Sequence, residues 1–204
     1  MNPYESEYID LHQELLPYDE VLRHLRLIED SGNLERYFKG ANRGGRWFFQ
    51  ILSEEFVETL ASMINSLNKI SQNPGPVLEV MSGDGRLTEF LVSRAERRII
   101  ATDSKDGRYN IAYPKWVETM DALEAVEHYN PAFVVLSWEP YLSDVGCRIV
   151  EAGIPTAWIG QVKKCGHPDL FELEHKKTNN QYVLGKFDSF LRNELHSDVY
   201  LFNC

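Results

Sequence analysis

The chain has 204 residues, 43% of them hydrophobic, and a mean hydropathy of -0.36, which suffices for one sizeable core and excludes an intrinsically disordered protein. Its 21 basic residues against 31 acidic ones leave a net charge of -10, a bulk field that repels nucleic acid and anionic membrane surfaces unless a local basic patch overrides it. Cys147, Cys165 and Cys204 are odd in number, far apart and without a CxxC, which argues against a disulfide framework or a structural zinc site and predicts reduced thiols.

After Pro17, "YDEVLRHLRLIEDSGN" spaces Val21, Leu22, Leu25 and Ile28 along one helical face and ends on Ser-Gly-Asn, which predicts an amphipathic extension helix. Lys39, Arg43 and Arg46 in "FKGANRGGRWFF" form a compact basic segment, read either as a solvated loop or as a lid over an anionic substrate group. Ser53 caps a second helix with Glu54 and Glu55 in its first turn. Its apolar stripe of Phe56, Leu60, Met63, Ile64, Leu67 and Ile70 stops before "NPGP".

From Val77 the period changes. The apolar runs "VLEVM", "RIIAT", "KWVET", "AFVVLS", "PTAWIG", "QYVLGK" and "DVYLFN" are interleaved with the helical spacers "GRLTEFLVSRAE", "DALEAVEHY" and "SDVGCRIVEAG". This alternation implies βαβ units and a mostly parallel sheet covered by helices on both faces. No helix separates the last two runs, so the sheet is expected to close with an antiparallel last strand. The predicted organisation is an N-terminal helical extension with a basic loop over residues 1–50 and an α/β domain over 51–204. The polar start "MNPYESEYIDLH" is no secretory signal, and no apolar run approaches the roughly 20 residues of a membrane span. The expected location is the cytoplasm.

The stretch "VLEVMSGDGRLTEFL" puts Gly83 and Gly85 in the first strand-to-helix turn, the usual ligand position of an open α/β sheet. A dinucleotide fingerprint needs a third glycine where Thr88 stands, and a pyrophosphate is repelled by Asp84. There is no GxxxxGK[ST]. A cationic ligand without phosphates suits an acidic turn better, and S-adenosylmethionine carries a sulfonium, an ammonium and a carboxylate that backbone N–H groups can hold.

At these residues the chain resembles class I (Rossmann-like) S-adenosylmethionine-dependent methyltransferases, whose first motif is an acid followed by GxGxG. Glu79, Gly83 and Gly85 match, and Met81 replaces the first glycine. Asp103 lies 18 residues after Gly85, where the family places an acid on the ribose hydroxyls, and Asp121 stands where the third motif holds the adenine amino group. The resemblance, over roughly residues 45 to 204, implies a doubly wound, seven-stranded, mostly parallel sheet with an antiparallel last strand. It implies cofactor contacts from Glu79, Ser82, Gly83, Gly85, Asp103, Met120, Asp121 and Ala122. The fourth motif, "VVLSWEPY", makes Glu139 and Tyr141 the catalytic candidates, facing the methyl. "GRWFFQILSEEF" and "WIGQVKKCGHPDLFEL" are similar to segments of less characterised methyltransferase-like proteins, which often carry Glu at Gln161.

Each residue also has a plainer reading. The glycine pair can be a tight turn, Asp121 a helix cap, Trp138 and Tyr141 packing residues, and Glu139 a solvated loop carboxylate. His167 reads as a surface or capping residue, and His12, His24, His128, His175 and His196 lack metal-ligand spacing. The expected activity is methyl transfer to a small-molecule or protein acceptor. Nucleic acid is disfavoured, because "SWEPY" lacks the Asn/Asp, two prolines and aromatic of amino-directed nucleobase enzymes. The rivals are a non-catalytic S-adenosylmethionine-binding or interaction module and an NAD-binding oxidoreductase. The acceptor is expected between "SWEPY", "CGHPDLF" and "ANRGGRW", with Arg43 or Arg46 facing it.

Overall fold

The computed structural model describes residues 10–70, 72–106 and 111–204. The first nine residues of the polar start and the side chain of Ile70 lie outside the described residues. No helix among the described residues is long and apolar enough to cross a membrane.

Helix α1 spans Tyr18–Asp30 and buries Val21, Leu22, Leu25 and Ile28, the four residues of its apolar face. Helix α2 (Leu34–Phe38) follows at once, and the two-residue strand β1 (Gln50–Ile51) leads into α3 (Glu54–Ile70). The Ser53 hydroxyl accepts the Phe56 amide, so α3 begins where a side-chain oxygen can satisfy an orphan N–H. The remaining elements are β2 (Val77–Val80), α4 (Arg86–Val92), β3 (Ile99–Asp103), β4 (Glu118–Thr119), α5 (Ala122–Tyr129), β5 (Phe133–Ser137), α6 (Val145–Glu151), β6 (Thr156–Gly160), β7 (His175–Lys177), β8 (Leu184–Gly185) and β9 (Asp198–Phe202).

Seven strands form one mostly parallel sheet in the order β4-β3-β2-β5-β6-β9-β7, with β9 antiparallel to both of its neighbours. Alternate strand residues separate to opposite faces. Val77, Phe133, Val135, Ala157, Ile159 and Val199 pack with Phe56, Leu60 and Ile64 of α3 and Leu87 and Leu91 of α4. Leu78, Val80, Val134, Leu136, Trp158 and Phe202 pack with Ala122 and Ala125 of α5 and Ile149 and Val150 of α6. The chain runs outward through β2, β3 and β4, returns to the middle at β5 and continues to β6, so the strand order turns between β2 and β5.

One strand expectation needs correction. The run "QYVLGK" contributes no strand to the large sheet; its Leu184 and Gly185 pair with Ile51 and Gln50 in a separate two-stranded ladder. The place is taken by His175–Lys177, whose three side chains are all exposed. An edge strand with polar groups on both faces leaves no hydrophobic alternation to read. Val183 and Leu184 are apolar because they are buried from a loop, Val183 against the α3 face and Leu184 against the extension.

A third cluster joins Leu11, Val21, Leu25, Tyr37, Phe38, Phe48 and Ile51 to Leu184 and Phe190, so residues before 52 share a core with the C-terminal segment. Leu25→Ala therefore should cost about 2–5 kcal/mol, as a core truncation does. Urea unfolding followed by tryptophan fluorescence and by far-UV circular dichroism should show both transitions moving together. An early, separate loss of helix signal would make the extension an independent appendage.

Candidate functional site

The carboxyl ends of β2, β3 and β5 meet where the strand order turns, and a cavity of about 530 Å³ opens there. Its walls come from the turn after β2 (Met81, Ser82, Gly83, Asp84), the end of β3 (Asp103, Ser104), Tyr113, Asp121, Ser137, Trp138 and Pro140–Ser143 after β5, and His12 with Trp47–Gln50 of the extension. This is the crevice in which open α/β sheets bind ligands.

The turn is tightly bent. Met81, Gly83 and Gly85 have φ of 54°, 58° and 71°, all left-handed. Met81 thus holds a backbone conformation suited to glycine, at a cost of about 1–2 kcal/mol. A Cβ on Gly83 would meet only Ile111 Cδ1 at 3.7 Å and otherwise project into open space, whereas one on Gly85 would lie 2.5 Å from Trp116 Cη2 and 2.7 Å from Val117 Cγ2. Gly83 therefore lets a ligand approach the backbone; Gly85 is a packing glycine and does not line the cavity. The Ser82 hydroxyl is buried and has no hydrogen-bond partner.

Three carboxylates brace this turn. Glu79, only 2% exposed, accepts from the Thr88 amide at 3.0 Å and from the Thr88 hydroxyl, so it caps α4 from within the sheet. Burial pushes its pKa up to about 7 against those two hydrogen bonds, with further upward pressure from Asp84 and Asp103. Asp103 accepts from the Gly83 amide at 2.9 Å and the Lys105 amide at 2.8 Å, and its charge acts on the Tyr113 phenol. Burial first, then the Asp103 charge, raises Tyr113 to about 12.

Asp84 does not present a free charge to the cavity. Its Oδ2 lies 2.6 Å from His12 Nε2 and 3.4 Å from Arg46 Nη1, while Oδ1 accepts the Arg86 amide at 3.2 Å. A carboxylate only accepts, so the His12 ring supplies the proton. Burial works upward on the Asp84 pKa, but the His12 hydrogen bond and charge, the Arg86 amide and Arg46 together hold it below the ordinary value. Arg86 donates from Nε to the His12 carbonyl at 2.7 Å and also reaches the Gln13 carbonyl. The acid between the glycines fastens the extension across the turn.

Asp121 lines the cavity while its Oδ1 accepts the Leu123 amide at 2.9 Å and the Glu124 amide at 3.4 Å, capping α5. Met120 and Ala122 pack into the α5 side of the sheet and do not line the cavity.

The expected catalytic pair is not brought together. Tyr141 stands at the cavity mouth, 59% exposed. Glu139 is fully buried on the α6 side and lies outside the cavity: Oε1 accepts from the Ser143 hydroxyl at 2.7 Å and the Gly146 amide at 2.9 Å, and Oε2 accepts from Trp158 Nε1 at 3.1 Å. Burial raises its pKa against those three hydrogen bonds. It is neither solvated nor facing the cavity. The "CGHPDLF" loop sits behind Glu139, since the Gly166 amide donates to the Glu139 carbonyl and the Leu142 amide to the Gly166 carbonyl. Arg46 is drawn to Asp84 rather than into the cavity, and Arg43 is exposed.

Trp47, the last residue of "ANRGGRW", stands in the cavity wall where that segment was expected, whereas His12, Phe48, Phe49 and Tyr113 were missed by sequence reasoning. Only the aromatic run "WFF" offered a signal. Among the described residues no three His, Cys, Asp or Glu side chains are grouped to hold a metal ion. No protein-family model matches the chain, and no curated protein matches it.

Because the folded chain favours protonated Glu79, that group's contribution to stability is complete below about pH 4.5 and is lost as pH rises through about 7. Glu79→Gln retains an acceptor for Thr88 and removes the titration. The difference in unfolding free energy between the two proteins should shift by roughly 3 kcal/mol between pH 4.5 and 8, read from urea titrations across that range. Parallel pH profiles would remove Glu79 from this account.

Proposed function

We propose that the chain has a doubly wound, Rossmann-like fold, binds S-adenosylmethionine in the cavity at the turn after β2, and is a methyltransferase. The observation that carries this reading is the placement of Asp103 and Asp121 in one cavity with a left-handed turn whose Ser82 hydroxyl is buried and unpartnered. The cavity volume falls within the roughly 300–1,000 Å³ of small-molecule sites. Its acidic wall suits a ligand bearing positive charge and opposes a pyrophosphate. Thr88, which replaces the third glycine of a dinucleotide fingerprint, is committed to Glu79.

S-adenosylmethionine supplies, when bound, a methyl group on a positively charged sulfur open to displacement by a nucleophile. Asp103 already receives two backbone amides on its roughly four acceptor positions, which leaves room for the ribose hydroxyls. Asp121 keeps Oδ2 for the adenine amino group while Oδ1 caps α5. Ser82 can pair with the amino-acid end of the ligand. The chain's contribution is then mainly alignment and exclusion of water, with Glu139 bracing the loop that carries Tyr141. Glu139 in the core favours a second reading, a module that binds S-adenosylmethionine without transferring the methyl.

Calorimetric titration should give binding of S-adenosylmethionine and its demethylated product but not of NAD. Labelled methyl transfer to a component of cell extract separates enzyme from binding module. Asp103→Ala, verified as folded by circular dichroism, should weaken S-adenosylmethionine binding about 10- to 150-fold, as loss of a charged acceptor does. Unchanged affinity in a folded variant removes Asp103 from the site, and NAD binding alone overturns the reading.

A further inference from the structure

The cavity lining has two chemically different parts. The turn after β2 and the end of β3 carry carboxylates. The other part, the aromatic end, is formed by Trp47 and Phe49 from the segment before β1 and by Trp138 and Tyr141 from the loop after β5, with Phe48 joining the two parts through its stack on His12. The two groups form one wall, since the Phe49 and Trp138 ring centroids lie 6.0 Å apart at 29° and Trp138 Nε1 donates to Gln50 Oε1 at 2.8 Å. The wall is built in from behind. A Cβ on Gly185 of β8 would stand 2.2 Å from the Trp138 ring, so only glycine lets β8 pair with β1 beneath it.

Two of the polar groups at this end are already committed. The Gln50 amide donates to the Ile51 and Leu184 carbonyls, and the Ser143 hydroxyl donates to Glu139. Among the described lining residues Arg86 is the sole lysine or arginine, and all its guanidinium nitrogens are engaged, by the His12 and Gln13 carbonyls and Glu89. Lys186 lies 4.4 Å from the Phe49 ring centroid without lining the cavity. Among the described lining residues a phosphate or carboxylate on an acceptor would find no uncommitted lysine or arginine, and it would share the cavity with Asp103 and Asp121. A flat ring would find stacking partners and apolar area.

We propose that this aromatic end holds the methyl acceptor, and that the acceptor is an uncharged planar aromatic molecule bearing a hydroxyl or amino group. The inference rests on the reading that the acidic end binds S-adenosylmethionine. It assigns Trp47 and Phe49 as specificity-determining residues.

The test is calorimetric titration of the full chain with 2-naphthol, adenosine monophosphate and spermidine as probes, each with and without saturating S-adenosylhomocysteine. The expected result is saturable 2-naphthol binding at least tenfold tighter than that of the other two. Trp47→Ala and the milder Phe49→Leu should each weaken 2-naphthol at least fivefold and leave S-adenosylhomocysteine affinity within twofold. Tighter binding of adenosine monophosphate or spermidine, or 2-naphthol affinity untouched by both substitutions, overturns the assignment. S-adenosylhomocysteine binding with no 2-naphthol binding defeats this inference alone; 2-naphthol binding that needs Trp47 and Phe49 in a chain that ignores S-adenosylhomocysteine defeats the cofactor reading alone.

Discussion

Within five residues the chain adopts three left-handed backbone conformations, at Met81, Gly83 and Gly85, and it stays there because carboxylates on three sides accept the amides that such a turn leaves unpaired. Glu79 takes Thr88 from the α4 side, Asp103 takes Gly83 from the neighbouring strand, and Asp84 takes Arg86 from within the turn. Acceptors of backbone N–H groups at a helix start are favoured by hydrogen bonding and by the helix dipole. The cavity is a consequence, because the turn holds β2, β3 and α4 in fixed relation while Gly83 leaves their junction open.

The same acids account for how the extension becomes part of the site. Asp84 is shared between His12 and Arg46, residues from two separate stretches of the first fifty. His12 in turn stacks on Phe48, with ring centroids 5.2 Å apart at 11°, and Phe48 belongs to the core that α1 and α2 form with Leu184 and Phe190. One partly buried ion pair thus connects the glycine turn to the hydrophobic cluster of the extension.

The opposite face of the sheet supports the loop after β5 by a different device. Glu139 is placed in a core of Trp158 and Leu170 only because Ser143, Gly146 and Trp158 together donate three hydrogen bonds to it. A buried carboxylate so satisfied is tolerated, and one without partners is not. The bracket ties the start of α6 to β6 and so determines where Trp138, Pro140 and Tyr141 stand. A carboxylate that resembles a catalytic base by position is thereby committed to bracing the wall.

Helical periodicity was sufficient for α1 and α3, and continuous apolar runs for the five strands β2, β3, β5, β6 and β9, because a strand buried on both faces is apolar along nearly its whole length. Asp103 and Asp121 were legible as a strand-end acid and a helix cap. Strand β7 was not, since "HKK" buries nothing. Nor was the direction of Glu139: the two-residue alternation of β5 breaks at Trp138, where φ is 57°, and parity cannot be carried past a left-handed residue. The meeting of His12, Arg46 and Asp84 spans 72 and 38 residues of chain, a separation over which no local pattern constrains contact. Sequence alone determined which residues had to be buried and where the chain could turn; tertiary structure decided which face each polar group met, because that depends on the packing of segments remote from one another.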